Sequence, residues 1–236
     1  MIKGVICVIQ EKQISFAPGF QSAAQFEDAI SRGQDFMRLM SYYSSAMLEM
    51  ETKFKVLNID FTSHFDRNPI ESIHTRLKRP GSIIEKLQRR GLPITLESME
   101  HELTDIAGVR VICSFVDDIY RLVEMLEQQD DIRIIQRKDY IQNPKPGGYR
   151  SLHLIVEIPI FLSREKRLMR VEVQFRTSAL DFWASLEHKL RYKKDLPEDV
   201  AHDIARQLTE CADTIAQMDE KMLSIRKKLE ETDENK

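Results

Sequence analysis

Residues 167–176, Arg-Leu-Met-Arg-Val-Glu-Val-Gln-Phe-Arg, alternate in polarity, and that alternation decides the fold class. In an extended chain Val171, Val173 and Phe175 point to one face and Glu172, Gln174 and Arg176 to the other. The period is that of a strand with one face in a core. Upstream, Arg150–Ile160 repeats it, with Leu152, Leu154 and Val156 on one face and Tyr149, Ser151 and His153 on the other. Further back, Ile73, Thr75 and Leu77 alternate with His74, Arg76 and Lys78. Gly108–Phe115 is a β-branched run suited to a buried strand, and Arg133–Tyr140 reads as another strand.

Helical patterns surround these strands. From Ser22 to Phe61, residues Met40, Tyr43, Met47, Met50, Phe54 and Leu57 recur at spacings of three and four. Asn68-Pro69 breaks that pattern, and Pro80-Gly81 ends the first strand. Ser82 and Glu85 have the spacing of a capping box for a helix over Ile83–Arg90, which Gly91 closes. Asp117 is expected to cap a helix running to Gln129. Another helix spans Ser178–Arg191, and after Leu196-Pro197 a long one runs to Leu229, leaving Glu230–Lys236 frayed. The last helix carries Leu208, Cys211, Ile215, Met218, Met222, Ile225 and Leu229, a heptad seam that fits packing on the sheet or contact with another subunit. The expected class is α+β: a mixed sheet of about five strands with helices packed on it. The expected segments are a helical extension over 1–62, a catalytic domain over 63–195 and a helix over 196–236.

Composition narrows the function. No apolar run is long enough to span a membrane, and the apolar stretch Val5–Ile9 has no small-residue cleavage site after it. Cys7, Cys113 and Cys211 form no CxxC pair, which argues against a disulfide framework or zinc site and for free thiols in the cytoplasm. The net charge of −3 offers no general attraction to nucleic acid, yet Arg67–Arg90 holds seven Lys or Arg against two Glu. A basic segment in an acidic protein suits a discrete anionic ligand.

The polar rows of the strands supply the chemistry for one. Phosphoryl or pyrophosphoryl transfer needs cations for phosphate oxygens, carboxylates for Mg²⁺ and flat groups for bases. Arg76, Lys78, Lys86, Arg89 and Arg110 are candidates for the first role, Asp105 and Glu172 for the second, and Tyr149 for the third. The turn Asn143–Tyr149 could bring backbone amides and Lys145 to a phosphate. The sequence contains no Walker, kinase Gly-rich or HExxH pattern.

Several stretches in order resemble the synthetase domain of the RelA/SpoT family. Arg76-Leu-Lys78 with Ser82-Ile-Ile-Glu-Lys86-Leu-Gln-Arg89 resembles its ATP segment, and Asp105-Ile-Ala-Gly-Val-Arg110 its first Mg²⁺ motif. Lys145-Pro-Gly-Gly-Tyr149-Arg-Ser-Leu-His153 resembles its guanine-nucleotide loop, and Glu172-Val-Gln174-Phe-Arg-Thr its second acidic motif. Asp181-Phe-Trp-Ala-Ser-Leu-Glu-His-Lys189 extends the likeness. The resemblance implies a small alarmone synthetase of the RelP-like branch, which makes pppGpp or ppGpp and AMP from ATP and GTP or GDP. It implies that Arg76 and Arg110 sandwich adenine and that Lys78, Ser82, Lys86 and Arg89 hold the ATP phosphates. By the same likeness Asp105 and Glu172 bind Mg²⁺, Glu172 helps deprotonate the 3′-hydroxyl, and Tyr149 stacks on guanine. Lys138, Lys145 and His153 would meet the acceptor phosphates, with Gln174 and Asp181 on the acceptor side. A homotetramer is implied as well. Many relatives have Asn where Gly147 and Asp181 stand here, and too few residues precede Arg76 for the hydrolase domain of longer relatives.

Two other readings share these residues. One is a related nucleotidyl or phosphoryl transferase with a different acceptor, from which Tyr149 and its loop discriminate. The other is a non-catalytic regulator binding guanine nucleotides or single-stranded RNA. The sequence lends RNA binding no support, and an anion binder gains nothing from the acids Asp105 and Glu172.

Overall fold

Five strands pair into one sheet in the order β1-β2-β5-β4-β3. They are β1 (Ile70–Leu77), β2 (Ala107–Cys113), β3 (Arg133–Asp139), β4 (Leu152–Phe161) and β5 (Lys166–Thr177). Only β2 and β5 run parallel; the other neighbours are antiparallel. The helices are α1 (Ala23–His64), α2 (Pro80–Arg89), α3 (Leu96–Glu102), α4 (Val116–Glu127), α5 (Ser178–Arg191) and α6 (Glu198–Glu234). The computed structural model describes residues 23–65, 67–191 and 197–234. Val5–Ile9, Cys7, Ser22, Leu196 and the last two residues lie outside the described residues. The chain divides into two units, Met1–Met40 and Ser41–Lys236, and the whole sheet belongs to the second.

The core forms where the expected apolar rows meet. Val109 and Val111 of β2, Leu152, Leu154 and Val156 of β4, and Val171, Val173 and Phe175 of β5 are all buried. The α1 stripe contributes Tyr43, Ala46, Met50, Phe54 and Phe61, and α4 contributes Ile119, Leu122, Val123 and Leu126. Phe54 meets Phe175 edge-on at 5.7 Å, a contact worth about 0.5–1.5 kcal/mol beyond the area it buries. Burial is shallow in the two edge strands, where Ile70 is the one buried residue of β1 and β3 has none.

Three helix starts differ from the sequence reading. α2 begins at Pro80, three residues before Ile83, because a proline in the first turn has its φ preset and no N–H to satisfy. Arg79 is its N-cap without a side-chain bond, so Ser82 and Glu85 form no capping box. α4 is capped at Phe115, whose N–H donates to Asp118 Oδ2 at 3.2 Å, and Asp117 instead pairs with Arg226 of α6. α3 had no counterpart in the sequence reading. It is a seven-residue helix capped by Thr95, whose Oγ1 accepts the Ser98 N–H at 3.1 Å, and it is too short to show a period.

α6 continues past Leu229 to Glu234, five residues into the stretch expected to fray. Arg226 anchors this end: it pairs with Asp117, lies 3.3 Å from Glu230 and stacks over Phe115 at 4.8 Å. The seam divides in two. Leu208 and Ile215 pack against the cluster of Trp183, Ala184 and Ala212, while Met218, Met222, Ile225 and Leu229 are exposed. Cys211, expected in the seam, is exposed, and Ala212 takes the buried place.

That small residue has a consequence for the neighbouring loop. Gly148 has φ +87°, and a Cβ built there would stand 2.5 Å from the Ala212 Cβ. Gly148→Ala is therefore expected to destabilise the protein by about 1–3 kcal/mol in urea unfolding. Adding Ala212→Gly should recover part of the loss by removing the collision while leaving the φ strain; an unaffected Gly148→Ala protein would contradict the tight packing of α6 on this loop.

Candidate active site

The strand register gathers the polar rows on one face. Arg76 lies opposite Gly108, Gly108 opposite Glu172, and Glu172 opposite Ile155. The adjacent row runs His74, Arg110, Gln174, His153, Lys138. With no side chain, Gly108 leaves the space between Arg76 and Glu172 open.

Among the described residues, two clefts open beside these rows. One, of about 430 Å³, is lined by His74, Arg76, Lys78, Asp105, Gly108, Arg110, Glu172, Gln174 and Asp181 among others. The second, of about 150 Å³, has Lys86, Arg90, Thr104, Asp105, Gln136, Lys138, Tyr140, Lys145, His153 and Glu172 in its wall. Asp105 and Glu172 line both, so the two acids sit where the cationic clefts adjoin.

Each acid is held by polar neighbours. Asp105 Oδ2 accepts from Lys78 Nζ at 2.6 Å and lies 2.5 Å from Lys86 Nζ, while its Oδ1 is buried without a hydrogen-bond partner. Burial pushes this carboxyl up, but the two ammonium groups outweigh it and hold Asp105 below the ordinary aspartate value. Burial in turn pulls Lys86 down, against the attraction of Asp105. Glu172 has His153 Nδ1 at 3.2 Å from Oε1 and accepts from Gln174 Nε2 at 2.9 Å. Burial raises its carboxyl too, yet His153 and Gln174 leave it below the ordinary glutamate value, with Asp105 opposing them. On the other flank Asp181 Oδ1 accepts from Arg176 at 2.8 Å and Arg110 at 3.2 Å. Burial and the nearby Arg176 charge lower Arg110 from its ordinary value.

Eleven of the fourteen residues singled out in the sequence line one cleft or the other. Gln174 and Asp181, expected on the acceptor side, stand with Arg76, Lys78 and Arg110 in the larger cleft. Lys86, expected among ATP phosphate ligands, lines the smaller one with Lys138, Lys145 and His153. Ser82, Arg89 and Tyr149 line neither. Arg89, in the last turn of α2, is exposed, and the next residue, Arg90, lines the smaller cleft with Lys86. Tyr149 adjoins two residues of the smaller cleft, its hydroxyl 2.8 Å from His153 Nε2 and its ring 5.0 Å from Lys145 Nζ. The sequence reading omitted His74, Arg90, Tyr140 and Arg176 from the site. Period-two alternation could have found Tyr140 beyond Lys138, and Arg176 beyond Gln174.

A mixed sheet with two acids set between cationic clefts defines a catalytic domain for phosphate chemistry. Comparison with known proteins places it further. The pattern described as a region found in RelA / SpoT proteins matches residues 75–196. The GTP pyrophosphokinase YwaC of Bacillus subtilis is 43% identical over 209 residues, covering 89% of this chain and 99% of its own. The crystal structure of small alarmone synthetase 2 from Bacillus subtilis superposes with a TM-score of 0.73 at 44% identity, over 82% of this chain and 99% of that one. That of small alarmone synthetase 1 from the same organism, bound to its product pppGpp, gives 0.74 at 35% identity, over 83% and 98%. The chain belongs to the RelA/SpoT family.

The charge arrangement predicts an acid response. Asp105 and Glu172 have folded values below their ordinary 3.8 and 4.5, so the unfolded chain binds protons first as pH falls. Their contribution to stability is complete above the ordinary values and is lost as pH drops through the folded ones. In urea unfolding between about pH 3 and 6, Glu172→Gln should lose stability less steeply on acidification than the parent protein. Parallel curves would show that Glu172 is not held as described.

Proposed function

We propose that this chain is a Mg²⁺-dependent GTP pyrophosphokinase that moves the β,γ-pyrophosphate of ATP to the 3′-hydroxyl of GTP or GDP. The products are pppGpp or ppGpp and AMP. The observation that carries this reading is the placing of Asp105 and Glu172 in the walls of both cationic clefts. Donor and acceptor must meet at such a junction, because the 3′-oxygen forms its bond to the donor's β-phosphorus. The bond from that phosphorus to the bridging oxygen then breaks, and AMP leaves with the oxygen.

The residues divide the work by position. The planar guanidinium groups of Arg76 and Arg110 suit the faces of adenine in the larger cleft. Lys78 and Lys86, already converging on Asp105, neutralise donor phosphates, and Lys138, Lys145 and His153 meet those of the acceptor. Ser82 and Arg89 on α2 contribute to phosphate binding from its first and last turns. Tyr149 supplies the ring for guanine. Glu172, held ionised by His153 and Gln174, accepts the proton of the attacking hydroxyl.

The acids also fit a divalent ion. Among the described residues no cluster of three or more His, Cys, Asp or Glu stands ready to hold a metal by itself. Mg²⁺ needs only one or two carboxylates when water and substrate phosphates fill its shell. Asp105 Oδ1, buried and without a partner, and Glu172 are the residues that would hold it. Bound there, the ion neutralises charge on the polyphosphate and on the oxygens of the transferred group.

The exposed face of α6, Met218, Met222, Ile225 and Leu229, fits a contact between subunits of a homotetramer. No helix among the described residues is long and apolar enough to cross a membrane, and the family's nucleotide chemistry suits the cytoplasm.

Incubation with γ-labelled ATP, Mg²⁺ and GTP or GDP should move label into the guanine nucleotide and release unlabelled AMP. Free labelled phosphate or pyrophosphate as the sole products would instead indicate hydrolysis. Glu172→Gln should lower transfer by about 10²-fold or more with ATP affinity nearly unchanged. Chelation of divalent ions should abolish transfer, and added Mg²⁺ should restore it; transfer that persists in excess chelator would remove the metal from the reading.

A further inference from the structure

Arg176 is 5% exposed and lines neither cleft, yet every partner it has belongs to the site. One terminal nitrogen donates to Asp181 Oδ1 at 2.8 Å. The other donates to the Tyr149 hydroxyl at 2.8 Å and reaches Gln174 Oε1 at 3.4 Å. The guanidinium carbon also lies 5.2 Å from the Tyr149 ring centroid. Burying a permanent cation is expensive unless its hydrogen bonds are met, and its Nε has no partner in the protein. Its hydrogen bonds fix the side chains they reach.

What it holds is Tyr149. Arginine can only donate, so the Tyr149 oxygen accepts from Arg176, and the same hydroxyl lies 2.8 Å from His153 Nε2, to which it donates when the imidazole carries its proton on Nδ1. Asp181 fixes the guanidinium from the side of the larger cleft, where it also accepts from Arg110. The Tyr149 ring is further confined by edge-on contacts with Tyr140 and His153, at 6.2 and 5.9 Å. Arg176 meets it at both the hydroxyl and the ring, and is the buried cation among these contacts.

We propose that Arg176 is a positioning residue for the acceptor nucleotide, acting through the Tyr149 hydroxyl to set the ring against which guanine stacks. The inference rests on the acceptor role proposed for Tyr149. A stacking ring free to swing would lose part of its binding energy to ordering, whereas a tethered one is already in place.

The test measures GDP and a non-hydrolysable ATP analogue by calorimetry on the full chain, with thermal melting as a check on folding. Arg176→Lys keeps the charge and loses the fork; it should weaken GDP binding about tenfold and leave the ATP analogue within about twofold. Tyr149→Phe keeps the ring and loses the tether, and should weaken GDP by a similar factor. The double variant should be no weaker than the worse single one, because both remove the same contact. Full GDP affinity in Arg176→Lys, equal losses for both nucleotides, or multiplied losses in the double variant would each overturn the proposal. If Arg176→Lys does not fold, Tyr149→Phe decides, and full GDP affinity there overturns it. A parent protein that binds no GDP would instead sink the acceptor reading and this inference with it, whereas binding by parent and variants alike sinks only the inference.

Discussion

The parallel pairing of β2 with β5 is the constraint on which the site depends. It sets Gly108 beside Glu172 and Arg110 beside Gln174, and it leaves Val109, Val111, Val173 and Phe175 in the core. A slip of one residue in either strand would send that strand's apolar set to the open face and its polar set inward. Four such side chains are each worth about 1.5–3 kcal/mol when buried, so the hydrophobic effect fixes the register and the register fixes the chemistry. Glu172 needs no special device to reach the cleft, because its neighbours in sequence have to be inside.

Once the register is set, the electrostatics follow from what lies at the ends of the strands. Asp105 sits two residues before β2, and Lys78 one residue after β1, so the antiparallel pairing of those strands brings the two to 2.6 Å. Lys86 arrives on α2 from the same side. Both ammonium groups use one carboxylate oxygen, which leaves the other turned away from them. A carboxylate shared in this way stays ionised despite burial and retains an oxygen for a further cation. Glu172 is held differently, by an imidazole and an amide.

The C-terminal helix packs where β3 and β4 are joined. Trp183 Nε1 donates to the Leu208 carbonyl at 2.9 Å, Arg150 pairs with Asp213 at 2.9 Å, and Gly148 lies against Ala212. The loop carrying Lys145 and Tyr149 is thus braced from behind by α6. Thr177, at the end of β5, donates to the buried Asp219 of the same helix at 2.5 Å. Burial pushes the Asp219 carboxyl up, opposed by the Thr177 bond, so α6 has a buried acid next to the strand that carries Glu172.

Period two was enough to find β1, β4 and β5 and the faces of Glu172, Gln174 and His153, because alternation is a local property of an extended chain. The α1 stripe and the run of family motifs were legible for the same reason: each is a pattern within a short stretch. Less was visible where a helix start depends on its surroundings. Pro80 looked like the end of a strand and proved to be the first turn of α2, and Asp118, not Asp117, completes the cap of α4. Arg89 and Arg90 cannot be told apart by composition, yet it is Arg90, just past the end of α2, that lines the cleft with Lys138 and Lys145. The sequence by itself determined the α+β class, the strand faces and most of the residues of the site. Tertiary structure alone decided that Asp105 and Glu172 share two clefts, that Asp181 stands with Arg110, and that the buried Arg176 grips Tyr149. Those are contacts between residues distant in the chain, set by strand order and register, which no local period records.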